Sequence, residues 1–307
     1  MKKIILPIYL IIIAFTHHSC NQVNSYAPKQ PDLSQEIWQP SEEFKKFWFR
    51  GEAEVASFDL QQSRYGDIHQ GHAVMIFVAE DFSLSKQVKL DYPQGAGSDK
   101  ASVMKLNMVK KFNTGIYPYS MMLSAFTPIE RGYQPHSLKT SSSIQEWCGH
   151  VYSQMNLEED AYSLKEYSYF EFEGDSEREV EISLLEDEIW NLIRLDPALL
   201  PVGSQSIIPG AFDSRLRHKR ISPVRADLNL SEANEEGLRT YTIAYSSGRT
   251  LAINFDAAFP HRIMGWAETL PSGQQTIANR KTGRMIDYWT RNDPEDSYLR
   301  DELSLPN

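Results

Sequence analysis

The sequence is poor in cysteine and in long hydrophobic runs. Its 2 cysteines, Cys20 and Cys148, are too few for a disulfide scaffold or for a zinc cluster built on cysteine. The longest apolar stretch, residues 4–15, has 12 residues, which is too short for a helix that spans a bilayer. The motifs HExxH, GxSxG, GxGxxG and Walker A are missing, so no motif identifies a reaction.

Positive charge is also scarce. The chain has 31 Lys and Arg residues against 41 Asp and Glu residues, a net charge of −10, which argues against a nucleic-acid partner. Hydrophobic residues make up 41% and aromatic residues 11% of the 307 positions, and the aromatics are spread along the chain. This composition excludes a disordered acidic tail and is sufficient for a domain with a large core.

The N-terminus has the features of an export signal. Lys2 and Lys3 precede the apolar run, whose length is typical of the central region of a signal peptide. The following residues, 16–20 (THHSC), are similar to a bacterial lipobox, and this resemblance implies cleavage before Cys20 and acylation of its thiol. His17 departs from the apolar residue that the lipobox prefers. The alternative is an ordinary secretory signal in which Cys20 has no role.

These features predict a signal peptide at 1–19, a lipidated flexible tether at 20–40 and a single β-rich domain at 41–307, with a possible sub-boundary near 196–210. Residues 21–35 are rich in Asn, Gln, Ser and Pro, as flexible tethers are. By resemblance to other lipoproteins, Asn21 implies no retention at the inner membrane. We therefore expect an outer-membrane protein that faces the periplasm and contacts the membrane through its lipid, with a lipid or an envelope protein as a further partner.

Short alternating segments separated by turn residues predict a mainly β fold, either a large curved antiparallel sheet or an open barrel, with one covering helix. That helix is predicted at 183–193, where apolar residues recur at helical spacing before Asp196-Pro197. A shorter helix is predicted at 41–49. The predicted strands are 51–65, 72–82, 87–91, 103–112, 116–126, 144–156, 162–172, 239–245, 249–255, 262–269 and 284–290.

Cys148 and His150 are the only candidates for catalysis. Strand periodicity would place both side chains on one face, where a thiol and an imidazole could form a catalytic pair. The alternative interpretation is that Cys148 is buried as a small hydrophobic residue, as unpaired cysteines often are.

Two charged segments are candidates for ligand binding. Acidic residues occupy every odd position from 171 to 181, and Glu171, Glu173 and Asp175 could bind calcium through their carboxylates. The alternative is a solvated edge that prevents aggregation. A basic cluster follows, which could bind an anionic lipid head group or a phosphate, or could neutralise the acidic segment. Its members are Arg215, Arg217, His218, Lys219, Arg220 and Arg225.

The stretch 116–122 is dense in aromatic residues and methionine. Tyr117, Tyr119, Met121 and Met122 could line a ligand groove, because Met and Tyr form adaptable apolar walls. The alternative interpretation is that they belong to the core.

Several segments resemble one family, the lipoproteins of Bacteroidota that are often labelled "septum formation inhibitor Maf". The similar segments are 47–54 (FWFRGEAE), 73–82 (AVMIFVAEDF), 110–122 (KKFNTGIYPYSMM), 145–150 (QEWCGH) and 186–190 (EDEIW). This resemblance implies an exported lipoprotein and no mechanism. Maf enzymes themselves are cytoplasmic α/β nucleotide pyrophosphatases with a Ser-Pro-Arg-Arg loop. Only residues 222–225 (SPVR) are similar to that loop, so no catalytic residue carries over.

The sequence thus predicts a non-enzymatic cell-envelope lipoprotein that binds an apolar or amphipathic ligand, or a partner protein, on a curved β surface. No cofactor and no metal is expected. Two alternatives stay open, an envelope enzyme for acyl or peptidyl transfer that uses Cys148 and His150, and a structural component of the envelope.

Overall fold

One antiparallel sheet dominates the fold. The computed structural model describes residues 38–130 and 135–305, so the predicted signal peptide, Cys20 and most of the predicted tether lie outside the described residues. The strands are β1 (Ala53–Arg64), β2 (Asp67–Ser83), β3 (Lys100–Thr114), β4 (Tyr117–Pro128), β5 (Lys139–Glu146), β6 (Gly149–Leu157), β7 (Ala161–Ser168), β8 (Ser176–Glu181), β9 (Leu184–Leu185), β10 (Gly203–Ile208), β11 (Val224–Leu230), β12 (Leu238–Tyr245), β13 (Thr250–Asp256), β14 (Ile263–Thr269) and β15 (Gln275–Ile286).

These 15 strands form a single sheet in the order β8-β7-β6-β5-β4-β3-β2-β1-β15-β14-β13-β12-β11-β10-β9. Among the described strands, only the short β9–β10 pair is parallel. The predicted mainly β fold is confirmed, and its origin is the repeated alternation of inward apolar and outward polar residues along each strand.

The two edges of the sheet approach each other. β8 lies at one edge and β9 at the other, yet only residues 182–183 separate them along the chain. Three consecutive Cα–Cα steps span at most about 11 Å. The sheet therefore curls until its edge strands are close at this point, and the chain crosses from one edge to the other there.

Four short α-helices accompany the sheet in the described part of the chain. They are α1 (Glu42–Trp48), α2 (Glu186–Leu195), α3 (Ala211–Leu216) and α4 (Tyr298–Glu302). The predicted helix near the start of the domain is confirmed as α1, and Ser41 caps it because its Oγ accepts a hydrogen bond from the backbone N–H of Phe44 at 3.1 Å. In the ranges 38–130 and 135–305, no helix combines the length and the apolar character needed to cross a membrane.

The second predicted helix is confirmed as α2, which lies inside the curl of the sheet. It begins at Glu186 because the Glu188 carboxylate accepts a hydrogen bond from the Leu185 N–H at 3.1 Å. Every residue of α2 is buried, including its charged ones. The helix therefore does not cover the sheet from outside, and the sheet must satisfy its polar groups. Asn191, for example, donates from Nδ2 to the carbonyls of Met104 at 3.0 Å and Ala125 at 3.2 Å.

A buried ion pair fixes the C-terminal end of α2. Arg194 is fully buried and donates to the Glu54 carboxylate at 3.0 and 2.6 Å, and Arg280 reaches the same carboxylate at 3.1 Å. Burial raises the pKa of Glu54, but the two guanidiniums outweigh that effect and lower its pKa to about 2. The start of β1 is thereby joined to α2 and β15.

Several strand predictions were wrong in detail. Residues 87–91 form only an isolated bridge between Phe82 and Lys89. The predicted strand 144–156 is two strands, β5 and β6, joined by a turn at 147–148. The predicted strand 162–172 ends at Ser168, 284–290 is only the end of β15, and β8, β10 and β11 were not predicted.

Candidate functional site

A cleft with a volume of about 340 Å³ lies between the first half of the sheet and α3. One wall is the inner face of β5 to β8, and the opposite wall is α3 with the loop that follows it. The lining residues are Ser142, Ile144, Val151, Ser153, Glu166, Ser168, Phe172, Glu173, Gly174, Ser176, Arg178, Ala211, Ser214, Arg215, His218, Lys219, Arg220 and Ile221. Pockets that hold small ligands have volumes of about 300–1,000 Å³, so the size suits a small amphiphile.

The strand wall combines apolar and hydroxyl side chains. Strand alternation points Ile144 of β5 and Val151 of β6 inward, and both are buried. Beside them, the hydroxyls of Ser142 and Ser153 are hydrogen-bonded to each other at 2.8 Å. The pair satisfies two buried polar groups, so the wall presents apolar surface to the cleft without unsatisfied donors.

Arg215 anchors the opposite wall. This buried residue of α3 forms an ion pair with Glu146 at the end of β5. Its guanidinium lies 4.4 Å from the ring centroid of Phe170, and Glu173 lies 3.8 Å from its Nη1. The position of α3 against the sheet is therefore set by electrostatic and cation–π contacts to one strand and a turn.

The mouth of the cleft is basic. His218, Lys219 and Arg220 are exposed in the loop after α3. His218 lies 2.6 Å from Glu173, but neither Lys219 nor Arg220 forms an ion pair with any described residue. On the strand side, Arg178 pairs with Glu166 at 3.2 Å and donates to the Ile221 carbonyl at 2.6 Å.

The lining of the cleft is positive although the chain is negative. The lining contains four basic residues besides His218, namely Arg178, Arg215, Lys219 and Arg220. Against these it contains two acidic residues, Glu166 and Glu173. The difference of +2, in a chain whose net charge is −10, concentrates attraction for anions at this position.

A buried charge network lies deeper, between α2 and the second half of the sheet. Arg249 of the β12–β13 turn is bonded to Glu186, with Nη2 at 2.9 Å from Oε1, and to Glu268, with Nε at 2.6 Å from Oε1. The Tyr245 hydroxyl also donates to Glu186. Asp213 of α3 lies 3.2 Å from the Arg249 Nε. The network joins α2, α3, two strands and the β12–β13 turn behind the cleft.

Titration of this network is strongly perturbed. Burial, with Glu186 adding to it, raises the pKa of Asp187 to about 7, and burial raises the pKa of Asp213 to about 6. Burial also raises the pKa of Glu268, but Arg249 and Lys110 outweigh it and bring the value to about 2. Burial lowers the pKa of Lys110, whose ammonium lies 5.2 and 5.3 Å from the ring centroids of Phe212 and Trp266. The cavity among these groups is only about 30 Å³, which suits one water molecule rather than a substrate.

The structure does not unite Cys148 and His150 in a catalytic pair. Cys148 lies in the turn between β5 and β6, so the expectation that it continues a strand was wrong, and it is exposed rather than buried. The His150 ring is instead 2.8 Å from the Ser143 hydroxyl of the neighbouring strand. Among the described residues, no hydrogen bond joins the thiol to the imidazole.

Of the four predicted groove residues, Tyr119 and Met121 are buried in the core, and Met122 is exposed on the outer face of β4. None of the four lines the cleft. Tyr117 supports it indirectly, because its hydroxyl donates to Glu146 at 3.0 Å, and Glu146 holds Arg215.

The acidic segment does not form one extended row. The chain turns at 169–175, and only residues 176–181 form β8. Glu173 accepts a hydrogen bond from the Ser168 hydroxyl at 2.5 Å, and Asp175 accepts one from the Ser168 N–H at 3.2 Å. Within 38–130 and 135–305, no three His, Cys, Asp or Glu side chains, the predicted calcium ligands included, are grouped so that they could hold a metal ion.

The basic cluster divides between two places. Arg215, His218, Lys219 and Arg220 line the cleft, whereas Arg217 pairs with Glu268 at 3.1 Å and Arg225 donates to the Ser204 hydroxyl at 2.9 Å. Arg178, Glu166 and the paired serines were not predicted as site residues. They come from strands whose neighbours are distant in sequence, and no local motif distinguishes them.

Comparisons with known proteins add little to this geometry. No family model matches the sequence, and no curated protein matches it. A solved structure, a beta-barrel-like protein of a domain of unknown function (DUF1849) from Brucella abortus, is distantly similar, with a TM-score of 0.47 and 11% identity. The match covers 78% of this chain and 99% of that one.

Proposed function

We propose that this protein is an exported cell-envelope lipoprotein that binds an amphipathic anion in the cleft between β5–β8 and α3. The observation that supports the proposal is that the strand wall of the cleft is apolar and its mouth is basic. Ile144 and Val151 would contact an acyl chain, and Lys219 and Arg220 would contact its carboxylate or phosphate. The buried charge network is a weaker candidate for a ligand or substrate site, because the cavity inside it is only about 30 Å³ and is too small for a substrate.

The cellular location of the protein is part of the proposal. The lipobox-like residues before Cys20 and the resemblance to lipoproteins of Bacteroidota support an acylated N-terminus and an outer-membrane location that faces the periplasm. Mass spectrometry of the N-terminal peptide from cells should detect acylated Cys20, and a Cys20→Ser protein should move from the membrane fraction to the soluble fraction. An unmodified cysteine in the membrane-associated protein would contradict the anchoring.

The ligand class can be tested with two probes that share one tail. Calorimetric titration should show binding of dodecyl phosphate and much weaker binding of dodecanol, which has the same chain and no charge. Arg220→Glu should weaken dodecyl phosphate binding by about tenfold, since it replaces an attractive charge with a repulsive one at the mouth.

Arg225→Glu is the matched control. Arg225 is also exposed, and its replacement by Glu changes the charge by the same amount, but it lies outside the cleft. Its affinity for dodecyl phosphate should stay within about twofold of the unmodified protein. Equal binding of dodecanol and dodecyl phosphate, or equal losses in the two variants, would exclude the cleft as an anion site.

A further inference from the structure

Four turns of the first half of the sheet lie at one end. Alternate turns of an antiparallel meander share an end, so the turns at 65–66, 115–116, 147–148 and 169–175 point the same way. Each turn carries a large apolar or aromatic side chain that is at least 66% exposed. We name this set the hydrophobic rim. Its members are Tyr65, Ile116, Trp147, Tyr169 and Phe172.

Two members of the rim, Tyr65 and Trp147, are held in place by aromatic residues behind them. The Tyr65 hydroxyl is hydrogen-bonded to the Tyr119 hydroxyl at 2.8 Å, and the Trp147 ring lies 6.0 Å from the Tyr117 ring. The Tyr117 hydroxyl also accepts a hydrogen bond from the Cys148 N–H at 2.9 Å. Exposed aromatics that are supported in this way do not bury themselves by local collapse, and their exposure requires an explanation.

Charge differs between the two ends of the sheet. The exposed basic residues Lys219 and Arg220 lie at the rim end, in the loop between β10 and β11, and the exposed acids Asp67, Glu171 and Asp175 lie at the same end. Two loops at the opposite end are acidic, with three consecutive acids at 158–160 and three more acids within 231–237. The rim end therefore carries exposed charges of both signs, whereas these two loops carry only acids, so a negatively charged lipid surface would repel the rim end less than the opposite end.

We infer that the hydrophobic rim docks on a phospholipid surface, with its tips in the head-group region and Lys219 and Arg220 against the phosphates. The rim consists of separate tips on four turns, of which only Phe172 also lines the cleft, and this arrangement suits a soft surface better than a shape-complementary protein. Tyr and Trp are the side chains that favour the interface between lipid and water. The inference does not depend on ligand binding in the cleft.

The chain supplies its own probe for this contact. Cys148 is exposed at the tip of the β5–β6 turn beside Trp147. In residues 20–307, the predicted mature chain, Cys20→Ser leaves Cys148 as the single thiol and prevents acylation. A polarity-sensitive dye on Cys148 should shift its emission to the blue when vesicles of equal parts phosphatidylcholine and phosphatidylglycerol are added. In the matched control, Cys148→Ser with Glu159→Cys, the dye lies at the acidic end and should not shift.

Two variants locate the contact. Ile116→Ser with Trp147→Ser should reduce vesicle binding by about tenfold or more, because two exposed tips are lost. Tyr92→Ser with Trp289→Ser removes exposed aromatics at the opposite end and should leave binding unchanged. Neither Ile116 nor Trp147 lines the cleft, so dodecyl phosphate binding should persist in the first variant whether or not vesicle binding is lost.

Three results would overturn the inference: equal vesicle binding by both variants, an equal dye shift at both ends of the sheet, or a shift that appears without vesicles as the protein is concentrated. The last result would mean that a second copy covers the rim.

Discussion

Glu54 holds the C-terminal end of α2 in place. Its carboxylate is the acceptor for both Arg194 and Arg280, and Arg194 is completely buried. Glu54→Gln would leave a buried guanidinium without its counter-charge, which costs about 3–5 kcal/mol in comparable sites. Urea unfolding at neutral pH should show this loss. Half-buried Glu52→Gln, two positions away, loses only an ion pair with the exposed Arg50 and should change the free energy of unfolding by less than about 1 kcal/mol.

The same pair predicts a dependence on pH. The pKa of Glu54 is about 2 in the folded protein and 4.5 in its ordinary state, so the ionised form favours folding. Its contribution is fully present above pH 4.5 and is lost as pH falls towards 2. The difference in stability between the unmodified protein and Glu54→Gln should therefore shrink over that range. A difference that stays constant down to pH 2 would contradict the depressed pKa.

Asp187 should act in the opposite direction. Burial raises its pKa from 3.8 to about 7, so the folded protein binds a proton that the unfolded chain releases. Stability must then fall as pH rises through this window, by at most about 1.4 kcal/mol per pH unit from this group. Asp187→Asn should remove that slope. The measurement is the free energy of unfolding at pH 5 and pH 8, with exposed Asp227→Asn as a control whose effect should not vary with pH.

At the scale of elements, α2 is stabilised by the sheet that surrounds it. Asn191 is buried and donates to two carbonyls and to the Thr127 hydroxyl at 2.9 Å, so it joins α2 to β3 and β4. Asn191→Leu keeps the volume and loses these bonds, and we expect a loss of about 1–3 kcal/mol in urea unfolding. Asn229→Leu, an exposed position on β11, should cost less than about 0.5 kcal/mol. Equal costs would show that the bonds of Asn191 are not significant for stability.

Turns with a backbone signal could be predicted, and turns without one could not. The β1–β2 turn was recognised through Gly66, where φ is +92°, and Gly115 marks the β3–β4 turn with a φ of +62°. The turn at Trp147-Cys148 has no residue with positive φ, so ordinary side chains form it and the alternation on either side runs through it. One long strand was therefore predicted where there are two.

In helix α2 and in the cleft as well, local features could be predicted and long-range contacts could not. α2 could be predicted because its apolar residues recur at helical spacing and Asp196-Pro197 ends it. The burial of α2 on all sides could not be predicted. Charged residues such as Glu186 and Arg194 indicate an exposed helix face, and their partners Arg249 and Glu54 are distant in sequence. The basic residues of the cleft were recognised as a cluster, but its strand wall depends on pairing between segments.

At the scale of the whole molecule, the curled sheet must protect its edge. Within the described residues, β8 has a sheet neighbour on one side only, and Glu177, Glu179 and Glu181 are exposed along it. Charged side chains on an edge strand prevent pairing with another copy. Replacing all three with threonine, which favours strands, should therefore promote self-association, visible as larger species in sedimentation velocity at concentrations where the unmodified protein is monodisperse.

The matched control separates edge protection from net charge. Threonine at Glu232, Glu235 and Glu236 removes the same three charges from the exposed loop between β11 and β12. If repulsion between whole molecules kept the protein dispersed, both triple variants would associate equally, because both have the same net charge. If the edge is what matters, only the β8 variant associates, and hydrogen exchange of its β8 amides slows as concentration rises, because those amides gain partners in a second copy. Association of the loop variant alone would contradict the protective role of β8.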